Sequence, residues 1–221
     1  MGSEDLDERF DHTIRKIGMP HLKHPIFYNA PSGLRFEIGG EEDVYLEADS
    51  PDELIPNPHY ISNALKRAET IYSAMPHAPN ILRIDTYPEE EGMFDNGEVS
   101  LEVLKKLQLP SHQLQISKEI KEDGDCFTRL QLYWDLSAFD FCPHMLLKEI
   151  IGADLGGISA LASSVFFMNT DDAVLFHLYD DRGADLVAAD QEILRPIFKK
   201  FNDWILEYDR GKIEKLFCGG I

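Results

Sequence analysis

Three apolar segments in the last third of the chain, separated only by short polar turns, constrain the fold most strongly. The segments cover 165–168, 173–179 and 184–188, and the turns between them are 169–172 and 180–183. Apolar runs of this length, bounded by Asn, Asp and Gly, predict buried strands. Turns this short join antiparallel neighbours, because a parallel pair needs a crossover of about a dozen residues or more. We therefore expect an antiparallel sheet in this region.

Further strands and helices follow from the periodicity of the apolar residues. Alternation predicts strands over 34–38 and 81–87, and a hairpin of 113–120 and 127–136 around a turn at 121–125. Helical spacing predicts helices over 5–17 and 61–75, and Pro143 at a first helical turn predicts a helix over 143–151. Short helices are also expected over 98–107 and 210–217, and a loop is expected at 90–97. Asp190 is expected to cap a long C-terminal helix whose apolar stripe continues to Ile205.

These elements predict an α+β fold, in which a mainly antiparallel sheet is flanked by helices and the long C-terminal amphipathic helix packs on the sheet. The chain has 221 residues, of which 43% are hydrophobic, enough for a sizeable core. We predict a single domain over 1–221. A sub-boundary near 110 is the alternative, and it rests only on Pro110.

The charge of the chain narrows the classes of partner. Forty acidic residues against 21 basic residues give a formal net charge of −19 and a pI near 4.7. Such a chain repels phosphate backbones and anionic lipid surfaces, so we expect it to bind neither nucleic acid nor membrane. A protein that carries positive charge is the complementary partner.

The remaining global features predict a soluble, cytoplasmic protein. The start of the chain is acidic where a secretory signal is basic, and its longest weakly polar run, 155–168, is shorter than the roughly 20 residues of a spanning helix. Three cysteines at wide spacing contain no CxxC pair, which favours a reducing compartment. The Cys142-Pro143-His144 sequence favours a buried structural cysteine over a nucleophile. No phosphate-binding or dinucleotide motif is present, and we predict no cofactor, no metal and no catalytic residue.

Five polar residues gather at one predicted strand–turn–strand, namely His177, Asp180, Asp181, Arg182 and Asp185. Carboxylates and an imidazole at a strand end are suited to bind a divalent metal or to act as a general base. The same residues also build a tight turn, in which Asp side chains accept backbone N–H groups and Gly183 supplies a left-handed position. The turn interpretation is favoured because turns of this composition are common.

Two segments, 37–53 and 85–102, are rich in carboxylates and contain no Lys or Arg. They are interpreted either as solvated surface or as a docking surface for a basic partner, which requires apolar anchors inside the charged patch. The candidate residues of this surface are Glu41, Glu42, Asp43, Tyr45, Glu89, Glu90, Glu91, Phe94 and Asp95.

Four segments of the chain form a distinctive set: Phe-His-Leu-Tyr-Asp-Asp-Arg-Gly-Ala-Asp at 176–185, Phe-Asn-Asp-Trp-Ile-Leu-Glu-Tyr-Asp-Arg at 201–210, 27–39 and the Arg-Ala pair at 67–68. Together these segments resemble a bacterial family known as domain of unknown function 3885. The resemblance implies a bacterial cytoplasmic protein of single-domain size, and it carries no established activity from which catalytic residues could be transferred. It suggests a clasp in which Arg210 pairs with Asp180, Asp181 or Asp185.

Three functions remain open at this stage. The leading hypothesis is a non-enzymatic binding protein of the immunity or antitoxin type, which neutralises a basic effector. The alternative is a metal-dependent or hydrolytic enzyme centred on His177, Asp180, Asp181 and Asp185. The third is a housekeeping protein without a partner, whose charge serves only solvation.

Overall fold

Antiparallel pairing joins all the strands in the described part of the chain. The computed structural model describes residues 5–47, 54–86, 107, 109–123, 125–155, 161 and 163–219. The strands are β1 Gly33–Glu37, β2 Tyr45–Leu46, β3 Ile55–Pro56, β4 Ile81–Thr86, β5 Gln115–Asp123, β6 Asp125–Asp135, β7 Ser163–Asn169, β8 Val174–Leu178 and β9 Gly183–Ala188. Seven form one sheet in the order β1-β9-β8-β7-β4-β6-β5, and β2 pairs with β3 in a separate ribbon.

The short turns produce the predicted topology. Strands β7, β8 and β9 are consecutive antiparallel neighbours, with Asn169 opposite Val174 and Leu178 opposite Ala184. Strand β4 is inserted between β7 and β6. The β5–β6 hairpin is confirmed, but its turn is tighter than expected, because pairing continues to Asp123 opposite Asp125. The predicted loop at 90–97 and most of the predicted helix at 98–107 lie outside the described residues.

Helices flank the sheet, as the sequence predicts. They are α1 Leu6–Ile17, α2 Ile26–Asn29, α3 Pro58–Ser73, α4 His144–Gly152, α5 Gln191–Lys200 and α6 Arg210–Cys218. Asn57 and Asp190 cap α3 and α5, because their side chains accept the backbone N–H groups of His59 and Glu192. No helix in the described ranges combines the length and the hydropathy needed to cross a bilayer.

The C-terminal helix is shorter than predicted. Helix α5 ends at Lys200, Phe201 leaves the helical conformation with φ −118° and ψ 29°, and a 3₁₀ turn follows at Asn202–Trp204. The chain must leave the helix here because the next residues join the sheet edge, where Ile205 forms a bridge with Phe36. The apolar stripe therefore predicts burial correctly beyond Lys200, but not helical conformation.

Two cores occupy opposite faces of the main sheet. Alternation along β4 places Leu82 and Ile84 in the larger core, and Ile81 in the smaller one. The larger core receives helices α3 to α6, whereas α1 covers the smaller core. The larger core takes residues from both sides of Pro110, whose carbonyl oxygen accepts the Trp134 Nε1–H at 3.1 Å. The single-domain organisation of the whole chain stays a prediction.

Candidate functional site

The five polar residues of the segment 177–185 lie on both faces of the sheet. His177 and Asp185 lie opposite each other on β8 and β9, on the face covered by α1 and α2. Asp181 instead accepts a hydrogen bond of 2.6 Å from the hydroxyl of Tyr60, a residue of the larger core on helix α3. The sequence therefore places these residues near one another, but the fold gives them different partners.

Asp180 and Arg182 build the turn in the predicted way. The Asp180 carboxylate accepts the backbone N–H of Arg182 at 2.8 Å and also pairs with its guanidinium. The expected left-handed Gly183 is wrong, because it is not among the described glycines with positive φ. Glycine is needed there for space, since a Cβ would lie 1.9 Å from the hydroxyl oxygen of Tyr179.

Three carboxylates at this turn lie close enough to share a metal ion. Asp154, Asp180 and Asp181 each offer an oxygen, and these atoms lie within 4.8 Å of one another. Neither His177 nor Asp185 belongs to the group. The Arg182 guanidinium already pairs with both Asp154 and Asp180, so a cation of the chain itself neutralises part of this charge. The carboxylates alone do not define a metal site.

A second group of residues, which we call the Arg35 cluster, joins the segments that carry the family resemblance. It comprises Tyr28, Arg35, Tyr179, Asp185 and Asp209. Arg35 Nε lies 3.0 Å from Asp185 Oδ1, and Arg35 Nη1 lies 3.5 Å from Asp209 Oδ2. The Tyr28 hydroxyl donates to Asp209 at 2.8 Å, and the Arg35 guanidinium lies 5.0 Å from the Tyr28 ring and 5.4 Å from the Tyr179 ring.

The family resemblance suggested that Arg210 pairs with a carboxylate of the turn, and this prediction is wrong. Arg35 pairs with Asp185 instead. Arg210 pairs with Glu207 and donates to the side chain and backbone of Asn202, all within its own segment. It forms no bond with Asp180, Asp181 or Asp185. The physical reason is position, because Arg35 lies on edge strand β1 beside β9 and faces both Asp185 and Asp209.

Buried charges continue across the same face of the sheet. On β4, the Arg83 guanidinium donates to Asp85 at 2.6 and 2.9 Å, and both side chains are only 2% exposed. The rings of Phe10, Tyr133 and Phe166 surround the Arg83 guanidinium at 4.9 to 6.0 Å. Such a pair needs its partners, because an unpaired buried charge costs several kcal/mol.

Burial shifts the protonation of the two titratable residues at the centre of this face. It lowers the pKa of His177 to about 3, although the ring nitrogen Nδ1 lies 2.8 Å from the Val165 carbonyl oxygen. Burial also raises the pKa of Asp185 to about 6, because the cost of desolvating the carboxylate exceeds the attraction of Arg35. His177 is therefore neutral at physiological pH and stacks on Phe166 at 4.5 Å.

Strand β2 of the β2–β3 ribbon lies within the first acidic segment, and strand β3 follows that segment in the sequence. Glu41, Glu42 and Asp43 are exposed, whereas the predicted anchor Tyr45 is partly buried against the larger core. Three aliphatic side chains of and beside the ribbon are exposed instead: Leu46 at 46%, Leu54 at 65% and Ile55 at 38%. The second part of the predicted surface, Glu89, Glu90, Glu91, Phe94 and Asp95, lies outside the described residues.

The prediction that Cys142 is buried is wrong. Cys142 is exposed, and His144 beside it directs its Nδ1 to Glu69 at 2.7 Å. Exposure follows from position, since Cys142 precedes helix α4 in an irregular segment.

Sequence reasoning missed Arg35, Arg83 and Tyr60 as organising residues. One signal was available for Arg83, because an arginine and an aspartate two positions apart on an apolar strand share a face. No comparable signal identifies Tyr60, which lies 121 residues from its partner Asp181.

The chain belongs to the family described as Domain of unknown function (DUF3885), whose model matches residues 6–209. Among individual proteins it is similar to the uncharacterized protein YnaE of Bacillus subtilis (strain 168), with 42% identity over 53 residues. This alignment covers 24% of the chain and 25% of that protein, so the chain matches about a quarter of the length of its relative. No solved structure matches the chain significantly.

Proposed function

We propose that this chain is a non-enzymatic, cytoplasmic binding protein of the immunity or antitoxin type, which docks a basic effector protein on its β2–β3 ribbon. The observation that carries the proposal is the exposure of Leu46 within the segment 37–53, and of Leu54 and Ile55 directly after it, because this segment contains eight carboxylates and no basic residue. Apolar anchors surrounded by charge are the usual composition of a protein interface.

The ribbon is held firmly enough to act as a preformed surface. The Asn57 side chain donates to the Asp43 carbonyl oxygen at 2.8 Å, and the Asn57 N–H donates to the Val44 carbonyl oxygen at 2.9 Å. Asn57 also caps helix α3, so the ribbon is fixed to the start of a long helix. A rigid surface loses less conformational entropy when a partner binds.

The charge of the chain supports a basic partner in particular. Among the described side chains, six of the nine arginines lie against carboxylates of the same chain: Arg9, Arg35, Arg83, Arg182, Arg195 and Arg210. The net charge of −19 nevertheless leaves a large excess of carboxylates to attract a cationic surface. Complementary charge accelerates encounter, while the aliphatic anchors provide affinity.

The experiment is affinity capture from native bacterial extract with three baits: the wild-type chain, Leu46→Ser/Leu54→Ser and Tyr208→Ser. Tyr208 is 88% exposed and lies away from the ribbon in sequence, so its variant is the matched control for loss of an exposed apolar side chain. We expect the wild type and the control to retain a basic protein that leaves at moderate salt, because screening shortens from about 10 Å at 0.1 M to about 3 Å at 1 M. The Leu46→Ser/Leu54→Ser bait should not retain this basic protein.

Two results would contradict the proposal. Retention of the same protein by all three baits would remove the ribbon as the docking site, and retention of no basic protein would remove the binding function. The neutralising role has its own test, in which the captured protein is expressed in bacteria with and without this chain. Growth inhibition that the chain does not relieve would contradict that role while leaving the binding intact.

The competing proposal is a metal-dependent or hydrolytic enzyme centred on His177, Asp180, Asp181 and Asp185. Of these residues, Asp180 and Asp181 lie close enough to share a metal ion, together with Asp154. This proposal predicts that Mg²⁺ or Mn²⁺ raises the melting temperature and that Asp181→Asn abolishes the rise. We expect neither, because Arg182 pairs with two of the three carboxylates. A metal-dependent shift that is lost in Asp181→Asn but kept in Asp172→Asn would favour the enzyme.

A further inference from the structure

Within the described residues, the two edges of the seven-stranded sheet differ in their backbone pairing. At one edge, β1 is bridged by the segment after α5, where Phe36 pairs with Ile205 and the Leu206 N–H donates to the Arg35 carbonyl oxygen at 2.9 Å. At the other edge, β5 pairs with β6 and with no other strand of the described ranges. Edge strands present a row of backbone donors and acceptors to which another strand can pair.

Strand β5 is long and regular enough to act as such a template. Its pairing with β6 runs without interruption from Gln115 opposite Tyr133 to Asp123 opposite Asp125. Ile116, near the start of this strand, is 41% exposed. A regular ladder on one side leaves the alternate backbone groups of the strand directed to the other side.

The sequence of β5 is self-complementary in charge. Residues 118–122 read Lys-Glu-Ile-Lys-Glu, so each residue at a given distance before Ile120 has the opposite charge to the residue at the same distance after it. In an antiparallel pair of identical strands centred on Ile120, Lys118 lies opposite Glu122 of the second copy, and Glu119 lies opposite Lys121 of the second copy. Opposite charges at paired positions stabilise a sheet, whereas like charges destabilise it.

We propose that β5 pairs with β5 of a second copy of this chain, in antiparallel orientation and with the two-fold axis at Ile120. The two main sheets then form one continuous sheet across an isologous interface. The charge pattern selects this register, since centring the pair on residue 119 or 121 sets Glu119 or Lys121 opposite its own copy. The surface is distinct from the β2–β3 ribbon, so the dimer is independent of the proposed docking function.

Two charge permutations with the composition of the wild type test the register. Lys118→Glu/Glu122→Lys keeps opposite charges at every paired position, whereas Lys121→Glu/Glu122→Lys sets like charges opposite each other at all of them, and neither variant changes Glu119, which lies opposite Arg129 on β6. Sedimentation equilibrium over a wide concentration range gives the dimer dissociation constant of each protein. We expect the first variant to match the wild type and the second to dimerise at least about tenfold more weakly.

Circular dichroism melting controls for folding of both variants. Hydrogen exchange provides a second measurement on the unmodified chain, because the outward amides of β5 should become protected as concentration rises. The proposal is overturned if the wild type stays monomeric throughout, if both permutations dimerise equally, or if the β5 amides gain no protection in the dimer.

Discussion

The two faces of the main sheet are buried by different chemistry. On the larger face, strand β4 contributes Leu82 and Ile84 to a core packed by four helices. On the smaller face, the same strand contributes Arg83 and Asp85, and strands β8 and β9 contribute His177 and Asp185. Burial of apolar side chains is stabilising wherever they pack, whereas buried charges are tolerated only with a partner in the right place. The smaller face is therefore the more specific part of the fold.

The difference between the two faces predicts that the largest loss of stability follows from substitution of Asp85. Asp85→Asn leaves the Arg83 guanidinium buried without a counter-charge and should lower the free energy of unfolding by about 3–5 kcal/mol. The control is Ile84→Val on the opposite face of the same strand, for which we expect about 0.5–1.5 kcal/mol. Urea unfolding of both variants measures the difference. Equal losses would show that the two faces do not differ in this way.

A smaller effect is expected from the titration of His177. The folded pKa is about 3, so below the unfolded value near 6.5 only the unfolded state takes up the proton. The contribution of His177 to stability should therefore fall by about 1.4 kcal/mol per pH unit below pH 6.5, or by about 2 kcal/mol at pH 5. Asp185, whose folded pKa is raised to about 6, acts in the opposite direction as the pH falls below 6.

The measurement compares stability against pH for the wild type, His177→Gln and the control His21→Gln, which removes an exposed histidine. The contribution of Asp185 is common to all three proteins. We expect the acid-induced loss to be reduced in His177→Gln alone. Parallel profiles for all three would show that His177 titrates normally in the fold.

The smallest effect is expected at the rim of the Arg35 cluster. Tyr28→Phe removes the hydroxyl that donates to Asp209 and should cost about 1 kcal/mol, because the side chain is partly exposed. Tyr208→Phe is the control, since this side chain is almost fully exposed and should change stability by less than about 0.5 kcal/mol. Thermal unfolding distinguishes the two. If Tyr28→Phe does not change thermal stability, only the charged side chains of Arg35, Asp185 and Asp209 stabilise the Arg35 cluster.

Local patterns were sufficient for most of the elements. The short turns between 165 and 188 predicted the antiparallel β7–β8–β9 strands, helical spacing predicted α1 and α3, and Pro143 predicted α4. Length was predicted less well for α5, because its apolar stripe continues into Ile205, which is buried at the sheet edge without being helical. Periodicity reports which residues are buried and does not by itself distinguish a helix from an extended segment packed on the same core.

Only the tertiary structure shows which polar and charged side chains pair with each other. The resemblance indicated a clasp but assigned it to Arg210, whereas Arg35 pairs with Asp185 and Asp209 across separations of 150 and 174 residues. The same holds for Tyr60 and Asp181, and for the exposure of Leu46 and Leu54 where Tyr45 had been expected as the anchor.

The sequence by itself determined the class of fold, the acidic character and the family of this protein, because these follow from composition, local periodicity and motif. Only the tertiary structure decided which charges meet and which apolar side chains stay exposed. The physical reason is that ion pairs act over a few ångströms between residues brought together from distant parts of the chain.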